Sequence, residues 1–308
     1  SAVPALNDDG MHIGGVTGFL RSIAAVIRQH KPTRCVIVFD GKGGSVRRKQ
    51  MYPNYKANRA NKTAFNRYKE FASLEDEQES MKRQFGRMVE YLQCLPITTL
   101  AIDNIEADDA IAYIANEIFT EQENKATIVS TDRDFLQLVN NRISVWSPIK
   151  KKMYTPSVMR EEFGIDAKNY LLYRALTGDK SDNIPGIPGV GLKSLLKRLP
   201  ELTEDQKVSL DEFVEYAANV EKKYKVHELI EASIDVIKLN YDLMQLKDVN
   251  ISGTTKLLIQ EKIREEINKL DVLTFKKMFM VDKMYTVIKD LDSWMTKSFN
   301  SLNAYRNL

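Results

Sequence analysis

Short apolar segments alternate with amphipathic segments through the first half of the chain, and this alternation restricts the possible folds more than any other feature. Runs rich in β-branched and aromatic residues predict buried strands over 35–39, 97–102, 126–130 and 143–146. Apolar residues that recur every three or four positions predict helices over 12–30, 74–93 and 107–119. Such alternation predicts an α/β fold, with a mainly parallel central sheet flanked by helices.

The strand pattern ends near residue 155, and helical periodicity continues to the end of the sequence. Turn-forming glycine and proline concentrate in 178–191. We therefore predict two domains, an α/β domain over 1–175 and a helical region over 176–308. A sequence of 308 residues is long enough for both.

The composition excludes several classes of protein. Hydrophobic residues make up 43% of the chain and charged residues 28%, which is typical of a folded protein. The mean hydropathy is −0.35, and no apolar run is long enough to cross a bilayer. Cys35 and Cys94 are too few for a disulfide framework, and no Cys/His cluster has metal-ligand spacing. We expect a cytoplasmic protein with no membrane partner.

Basic residues collect in one segment although the net charge is only +3. Residues 41–69 contain nine basic residues and no acidic one, with four aromatic residues among them. Basic side chains beside aromatic ones favour a polyanion whose bases can stack, such as a nucleic acid. A solvated basic loop is the alternative. The acidic run from Glu70 to Glu79 follows at once, which indicates an exposed segment.

Carboxylates follow three of the predicted strands at the point where each strand ends. They are Asp40 after the first strand, Glu106, Asp108 and Asp109 after the second, and Asp132 and Asp134 after the third. Because the carboxyl ends of parallel strands share one edge of a sheet, we expect these side chains in one crevice. Their repulsion favours bound cations, and oxygen ligands favour Mg²⁺, with Mn²⁺ as a substitute. Helix capping by Glu106, Asp109 or Asp132 is the alternative.

A further acidic pair, Asp179 and Asp182, precedes a glycine-rich turn. The turn is Gly186-x-Pro188-Gly189-x-Gly191, and a predicted helix start with Lys193 follows it. Glycines let a backbone approach a phosphate closely, and a helix start offers free N–H groups. This order predicts contact with a DNA backbone without preference for base sequence, and an ordinary glycine-rich loop is the alternative.

Five motifs occur in a fixed order along the chain. They are Val38-Phe39-Asp40-Gly41, Tyr55-Lys56-x-x-Arg59, Glu106-Ala107-Asp108-Asp109, Ser130-Thr131-Asp132-x-Asp134 and Gly178-Asp179-x-x-Asp182-Asn183. This order resembles the 5′-nuclease family, which includes flap endonucleases and the 5′→3′ exonuclease domain of bacterial DNA polymerase I. The resemblance runs from about residue 12 to 200, and the chain is most similar to free-standing bacteriophage members.

The resemblance implies a PIN-like core, a helical arch over about 47–93 and a helix-hairpin-helix motif over about 178–199. Two Mg²⁺ ions are implied, one near Asp40, Glu106, Asp108 and Asp109, the other near Asp132, Asp134, Asp179 and Asp182. Lys56 would contact the scissile phosphate, with Tyr55 beside it and Arg59 guiding the strand. The implied DNA contacts are Arg47, Arg48, Lys49, Lys62, Arg67, Gly186, Gly189, Gly191 and Lys193, with K⁺ at the hairpin.

The implied function is that of a structure-specific 5′ nuclease, a flap endonuclease and 5′→3′ exonuclease that hydrolyses DNA phosphodiesters with two metal ions. Its implied partners are DNA with 5′ flaps or ends, RNA–DNA hybrids and replication proteins. As a phage-encoded monomer, it would act in DNA replication and primer removal in the host cytoplasm.

One departure from the family pattern concerns the start of the chain. Family members begin with a further strand that ends in Asp-Gly, and this Asp contributes to the metal site. Nothing precedes Ser1 in the sequence, so we expect a truncated chain that lacks this first strand. Two alternatives stay open, a DNA-junction binding protein that has lost catalysis and a PIN-like ribonuclease. The eight carboxylates argue against the first, and the glycine hairpin with the arch argues against the second.

Overall fold

The computed structural model describes residues 5–60, 71, 73–121, 123–203 and 205–305, with only the backbone of residue 60. Lys62 and Arg67, two of the predicted DNA contacts, lie outside these residues. The strands are β1 (Val36–Asp40), β2 (Thr98–Ile102), β3 (Ala126–Val129), β4 (Ile143–Ser147) and β5 (Lys152–Tyr154). The four predicted strands are therefore present, within one or two residues of their predicted bounds.

Helices occupy most of the remaining described chain. They are α1 (Gly14–His30), α2 (Val46–Met51), α3 (Ala57–Ala60), α4 (Leu74–Gln93), α5 (Ala107–Tyr113), α6 (Pro156–Phe163), α7 (Tyr170–Thr177), α8 (Leu192–Arg198), α9 (Leu210–Asn219), α10 (Lys225–Glu231), α11 (Ile234–Met244), α12 (Gly253–Arg264), α13 (Val272–Val281) and α14 (Leu291–Ala304). A π-helical turn over Ile114–Ile118 extends α5, and 3₁₀ turns cover Asp134–Leu138 and Pro200–Thr203. Among the described residues, no helix combines the length and apolarity that crossing a membrane requires.

The described strands form two small sheets. In one, β1 is the neighbour of β2. In the other, β3 pairs with β4 in parallel, with Ala126 opposite Ile143, and β4 pairs with β5 in antiparallel. The sequence did not predict β5, because three residues are too short to show a periodic pattern and the strand depends on pairing with β4. The predicted α/β class with parallel pairing is confirmed.

The chain divides into two compact units that are discontinuous in sequence. The first comprises the described residues within 1–39, 63–100 and 261–308, and the second comprises those within 40–62 and 101–260. The predicted division near residue 176 is a different one, based on composition, and stays a prediction.

The first unit has a helical core to which the end of the chain contributes. The buried face of α1 carries Val16, Leu20 and Ala24, four positions apart, which is the spacing of one side of a helix. These side chains belong to one apolar cluster with Tyr91 of α4 and Phe299 of α14. The last helices therefore complete a hydrophobic core rather than form an appendage.

A polar contact network adds to this packing. Asp282, which follows α13, accepts a hydrogen bond from the Tyr91 hydroxyl at 2.6 Å and from Arg87 Nε at 2.8 Å. The Asp282 backbone carbonyl accepts another from Asn7 Nδ2 at 3.0 Å. Charge-assisted hydrogen bonds of this kind are stronger than neutral ones, so Asp282 ties three sequence segments of the first unit together.

The second unit packs α7 to α11 around a separate core and holds the three-stranded sheet. The chain crosses itself closely just after α7. A Cβ atom on Gly186 would lie 2.1 Å from the carbonyl oxygen of Thr177, so only glycine fits there. This crossing closes the loop that carries Asp179 and Asp182.

We predict that Phe299→Ala lowers the free energy of unfolding by about 3–5 kcal/mol, because a fully buried aromatic side chain leaves a cavity. Urea titration followed by circular dichroism measures this change. The matched control is Met280→Ala on α13, where the side chain is 59% exposed and the change should stay within about 0.5 kcal/mol. Equal losses in the two variants would contradict a core role for α14.

Candidate active site

Asp40 ends β1 and binds the start of α5. Its Oδ1 accepts a hydrogen bond from the backbone N–H of Ala107 at 2.9 Å, and its side chain is exposed. Glu106 precedes α5 directly, yet its side chain makes no capping bond there. The capping alternative for Glu106 therefore does not hold, and the carboxylate at this helix start comes from another strand.

A Cβ atom on Gly41 would lie 2.0 Å from the carbonyl oxygen of Ile102, at the end of β2. The glycine that follows Asp40 is thus required for the close approach of the chain to β2.

Arg48 of α2 lies buried between two of the predicted metal ligands. Its Nη1 and Nη2 donate to both oxygens of Asp109 at 2.8 and 2.7 Å, and Nη1 also donates to Glu106 at 2.5 Å. Nε donates to the carbonyl of Leu243 at 2.8 Å, and only 4% of the residue is exposed. This placement differs from the predicted DNA contact, because the guanidinium is used entirely inside the protein.

The predicted catalytic pair, Tyr55 and Lys56, also contacts Glu106. The Tyr55 hydroxyl donates to Glu106 Oε2 at 3.0 Å, and Lys56 Nζ donates to Glu106 Oε1. Burial opposes the ionisation of Glu106, but Arg48 and Lys56 together hold its pKa below the ordinary value. Glu106 is therefore a carboxylate kept charged by its neighbours.

Two loops that are distant in sequence are joined beside Lys56, which has a left-handed backbone with φ of 56°. The Lys56 N–H donates to the carbonyl of Asp182 at 2.8 Å. Asn58 Nδ2 donates to the carbonyl of Lys180 at 2.9 Å, and Asn183 Nδ2 donates to the carbonyl of Asn54 at 2.8 Å. Arg59 also forms an ion pair with Asp182.

Three of the eight predicted ligands, Asp40, Asp108 and Asp132, take part in none of the ion pairs of the described residues. Burial, and then the charge of Asp132, raises the pKa of Asp108 to about 7. One oxygen of Asp132 accepts the N–H of Asp134 at 2.8 Å, at the start of the 3₁₀ turn whose N-cap residue is Arg133.

Arg174 of α7 holds another two predicted ligands. Its Nε donates to Asp134 Oδ1 at 2.8 Å, and Nη2 pairs with Asp179 Oδ2. Burial still raises the pKa of Asp134 to about 6, against the lowering by Arg174. Arg174 is not among the residues predicted from the sequence; its signal was a lone charge in the otherwise uncharged helix 170–177.

The predicted metal ligands differ in whether a protein cation already pairs with them. Within the described ranges, no three acidic, histidine or cysteine side chains are arranged to hold an ion. Five of the predicted ligands are neutralised by protein cations, namely Glu106, Asp109, Asp134, Asp179 and Asp182. The charge of Asp132 raises the pKa of Asp108, so these two carboxylates repel each other and a cation beside them would relieve that repulsion.

A cleft of about 480 Å³ lies in the second unit next to these carboxylates. Acidic residues Asp132 and Asp179 and basic residues Arg59, Arg133 and Lys180 line it together. Both signs of charge in one cleft suit a phosphate that is bound through cations and basic side chains at once.

The remaining predicted DNA contacts differ in exposure. Lys49, Lys193 and Gly189 are exposed, whereas Arg47 and Gly186 are half-buried. The N–H of Gly191, at the start of α8, is 3.1 Å from the Ser194 hydroxyl and is thus already satisfied. Gly186 is needed for the chain crossing, and contact with DNA at these positions stays a prediction.

Comparison with known protein families settles the relationship. A family model described as the 5′-3′ exonuclease N-terminal resolvase-like domain matches residues 2–164, more than half of the chain. The chain belongs to the 5′-3′ exonuclease family. The model of the family's C-terminal SAM fold matches 165–266 of this exonuclease-family chain, so 267–308 lie beyond both matches. The predicted resemblance and the predicted class of function, a 5′ nuclease, are confirmed.

Relatives of two lengths match the exonuclease-family chain. A 5′-3′ exonuclease of Aquifex aeolicus is 29% identical over 286 residues, 92% of this chain and 91% of that protein. DNA polymerase I of Mycobacterium tuberculosis is 33% identical over 288 residues, 89% of this chain. The chain spans only 29% of that polymerase's length.

The fold is also that of a solved structure, a complex of bacteriophage T5 flap endonuclease with DNA and metal ions. The TM-score is 0.59 at 22% identity, with 87% of this chain and 91% of that chain covered. This likeness confirms the fold predicted for the exonuclease-family chain.

We predict that Arg48→Met lowers the free energy of unfolding by about 3–5 kcal/mol, because Asp109 would stay buried without its cation and Glu106 would keep only Lys56. Urea titration measures this change. Arg47→Met is the control, since the neighbouring side chain is half-buried and should cost no more than about 0.5 kcal/mol. Equal stability of the two variants would contradict the pairing.

We predict that Asp108→Asn raises the melting temperature at pH 8 in EDTA. The pKa of Asp108 is about 7 in the folded chain and near 4 when unfolded, so the folded state binds more protons between these values. Stability thus falls as pH rises through this window, and the variant avoids a cost on the order of 1–3 kcal/mol.

Thermal unfolding at pH 4.5 and pH 8 measures this effect, which should shrink at the lower pH. Glu161→Gln on α6 is the control, because the Glu161 side chain is exposed. A gain for Asp108→Asn that does not depend on pH would contradict the titration.

Proposed function

We propose that this chain hydrolyses phosphodiesters in DNA that carries a 5′ end or a 5′ flap, with divalent cations at the carboxylate cluster. The observation that carries the proposal is the placement of Lys56 beside Glu106 and Asp182, in the unit that also holds the unpaired Asp108 and Asp132. Family membership supports the class of reaction.

The residues that would hold the cations follow from their pairing. Asp108 and Asp132 would be direct ligands, because neither forms an ion pair with a protein cation in the described ranges. The charge of Asp132 contributes to raising the pKa of both Asp134 and Asp182, so these two carboxylates lie near it. Bound divalent cations supply Lewis-acid activation of water and neutralise charge on the leaving oxygen. We propose Mg²⁺ as the ion, since the donors are all hard oxygens.

The side chains of the chain itself would orient the substrate. Lys56 Nζ lies 4.8 Å from the centre of the Tyr55 ring, and the Lys56 side chain is mostly buried. The ammonium group is therefore confined. A confined cation stabilises charge that develops on phosphoryl oxygens without reorganisation. Arg59, which is half exposed, would guide the strand into the cleft.

Contact with the DNA would be mainly electrostatic. The exposed Lys49 and Lys193 carry charge that suits phosphates, and binding through phosphates follows shape rather than base sequence. We propose that the chain also acts on RNA–DNA hybrids and works with replication proteins. It would act as a monomer in the host cytoplasm, with a K⁺ ion at the hairpin.

The decisive experiment is cleavage of a 5′-labelled flap duplex by this chain in Mg²⁺, with an EDTA control. We expect short 5′ products that appear only with the metal. Binding without cleavage would favour a junction-binding protein, and cleavage of RNA alone would favour a PIN-like ribonuclease.

Lys56→Ala tests the catalytic assignment in the same assay. Loss of the confined cation should slow single-turnover cleavage about 100-fold or more, while the affinity for flap DNA in Ca²⁺ changes little. Lys125→Ala is the control, because Lys125 is exposed just before β3. A normal rate for the Lys56 variant would contradict its role.

A further inference from the structure

All three guanidinium nitrogens of Arg174 donate hydrogen bonds within the protein. Nε binds Asp134 at 2.8 Å, Nη2 binds Asp179, and Nη1 donates to the carbonyl of Gly178 at 3.2 Å. Only 6% of the residue is exposed. A planar guanidinium fixes its acceptors relative to one another, which a lysine ammonium does not do.

Asp179 passes this constraint to the loop that it begins. Its Oδ1 accepts the N–H and the hydroxyl of Ser181, both at 2.6 Å. Backbone hydrogen bonds between Asp179 and Ile184 at 2.8 and 2.9 Å close the loop. The carboxylate that binds Arg174 therefore also sets the course of residues 179–184.

The same loop holds the backbone at Lys56. The carbonyl of Asp182 accepts the Lys56 N–H at 2.8 Å, and the carbonyl of Lys180 accepts Asn58 Nδ2 at 2.9 Å. Asp179 Oδ1 also accepts the N–H of Asp182 at 3.3 Å, so hydrogen bonds link Arg174 through Asp179 and Asp182 to Lys56. Displacements of about 1 Å at a reacting group cost up to 100-fold in rate, so this series matters for the reaction.

We infer that Arg174 is a positioning residue that holds Asp134 directly and sets Lys56 through the 179–184 loop, without contacting substrate itself. This inference rests on the proposed nuclease function. The competing explanation is a purely structural role, in which the arginine only stabilises α7. The two explanations differ in which part of the chain a substitution of Arg174 would disturb.

Hydrogen exchange of the protein in EDTA, without DNA, is the first test. Arg174→Met should speed amide exchange across 179–184 by at least about fivefold, while the strands β3 and β4 keep their protection. Arg160→Met is the matched control, since Arg160 also bridges two carboxylates, Asp166 and Asp205, outside the cleft. Unchanged exchange in Arg174→Met, or faster exchange of 179–184 in Arg160→Met, would overturn the inference.

Steady-state cleavage of the flap duplex is the second test. We expect kcat of Arg174→Met to fall about tenfold to 100-fold with KM within about twofold, because the ground-state contacts stay and the alignment is lost. Arg160→Met should keep kcat within about twofold. A normal kcat in a folded Arg174→Met protein would overturn the inference.

Arg174→Lys covers the case in which Arg174→Met does not fold. It keeps the buried charge but not the planar geometry, so its kcat should also fall, and full activity would overturn the inference. If the unsubstituted chain does not cleave the flap at all, the proposed function fails, and the exchange experiment still decides whether Arg174 orders the loop.

Discussion

Negative charge held away from water is the constraint on which the second unit depends. A buried carboxylate without a partner is costly, and removing one member of a buried pair typically costs several kcal/mol. Arg48 meets this constraint for Glu106 and Asp109, and Arg174 meets it for Asp134 and Asp179. Asp108 and Asp132 form no ion pair, and burial together with the charge of Asp132 raises the pKa of Asp108.

Contacts between loops, in addition to the sheets, fix the side chains of the candidate active site. Residues 54–59 and 179–184 come from distant parts of the sequence and exchange backbone and amide hydrogen bonds. The crossing at Gly186 allows this approach, because any side chain there would collide with the Thr177 carbonyl. Catalytic groups on loops need such fixed contacts if they are to keep a productive geometry.

Helices α13 and α14 have a different role, which no sequence motif indicates. Phe275 of α13 and Phe299 of α14 are fully buried in the core of the first unit, together with residues of α1 and α4. Residues beyond the family matches therefore contribute packing energy to this unit. Packing residues show only helical periodicity in a sequence, so their partners could not be predicted.

The sequence by itself determined the strands β1 to β4, the carboxylates that follow three of them, and the Tyr55-Lys56 motif, because period and strand ends are local properties. It also carried enough of the family's motifs to predict the class of function. Only the tertiary structure decided that Arg48 is buried rather than facing DNA, and that Arg174 joins Asp134 to Asp179. Asp109 lies 61 residues from Arg48, and Asp134 lies 40 residues from Arg174, so these contacts form only when the chain is folded.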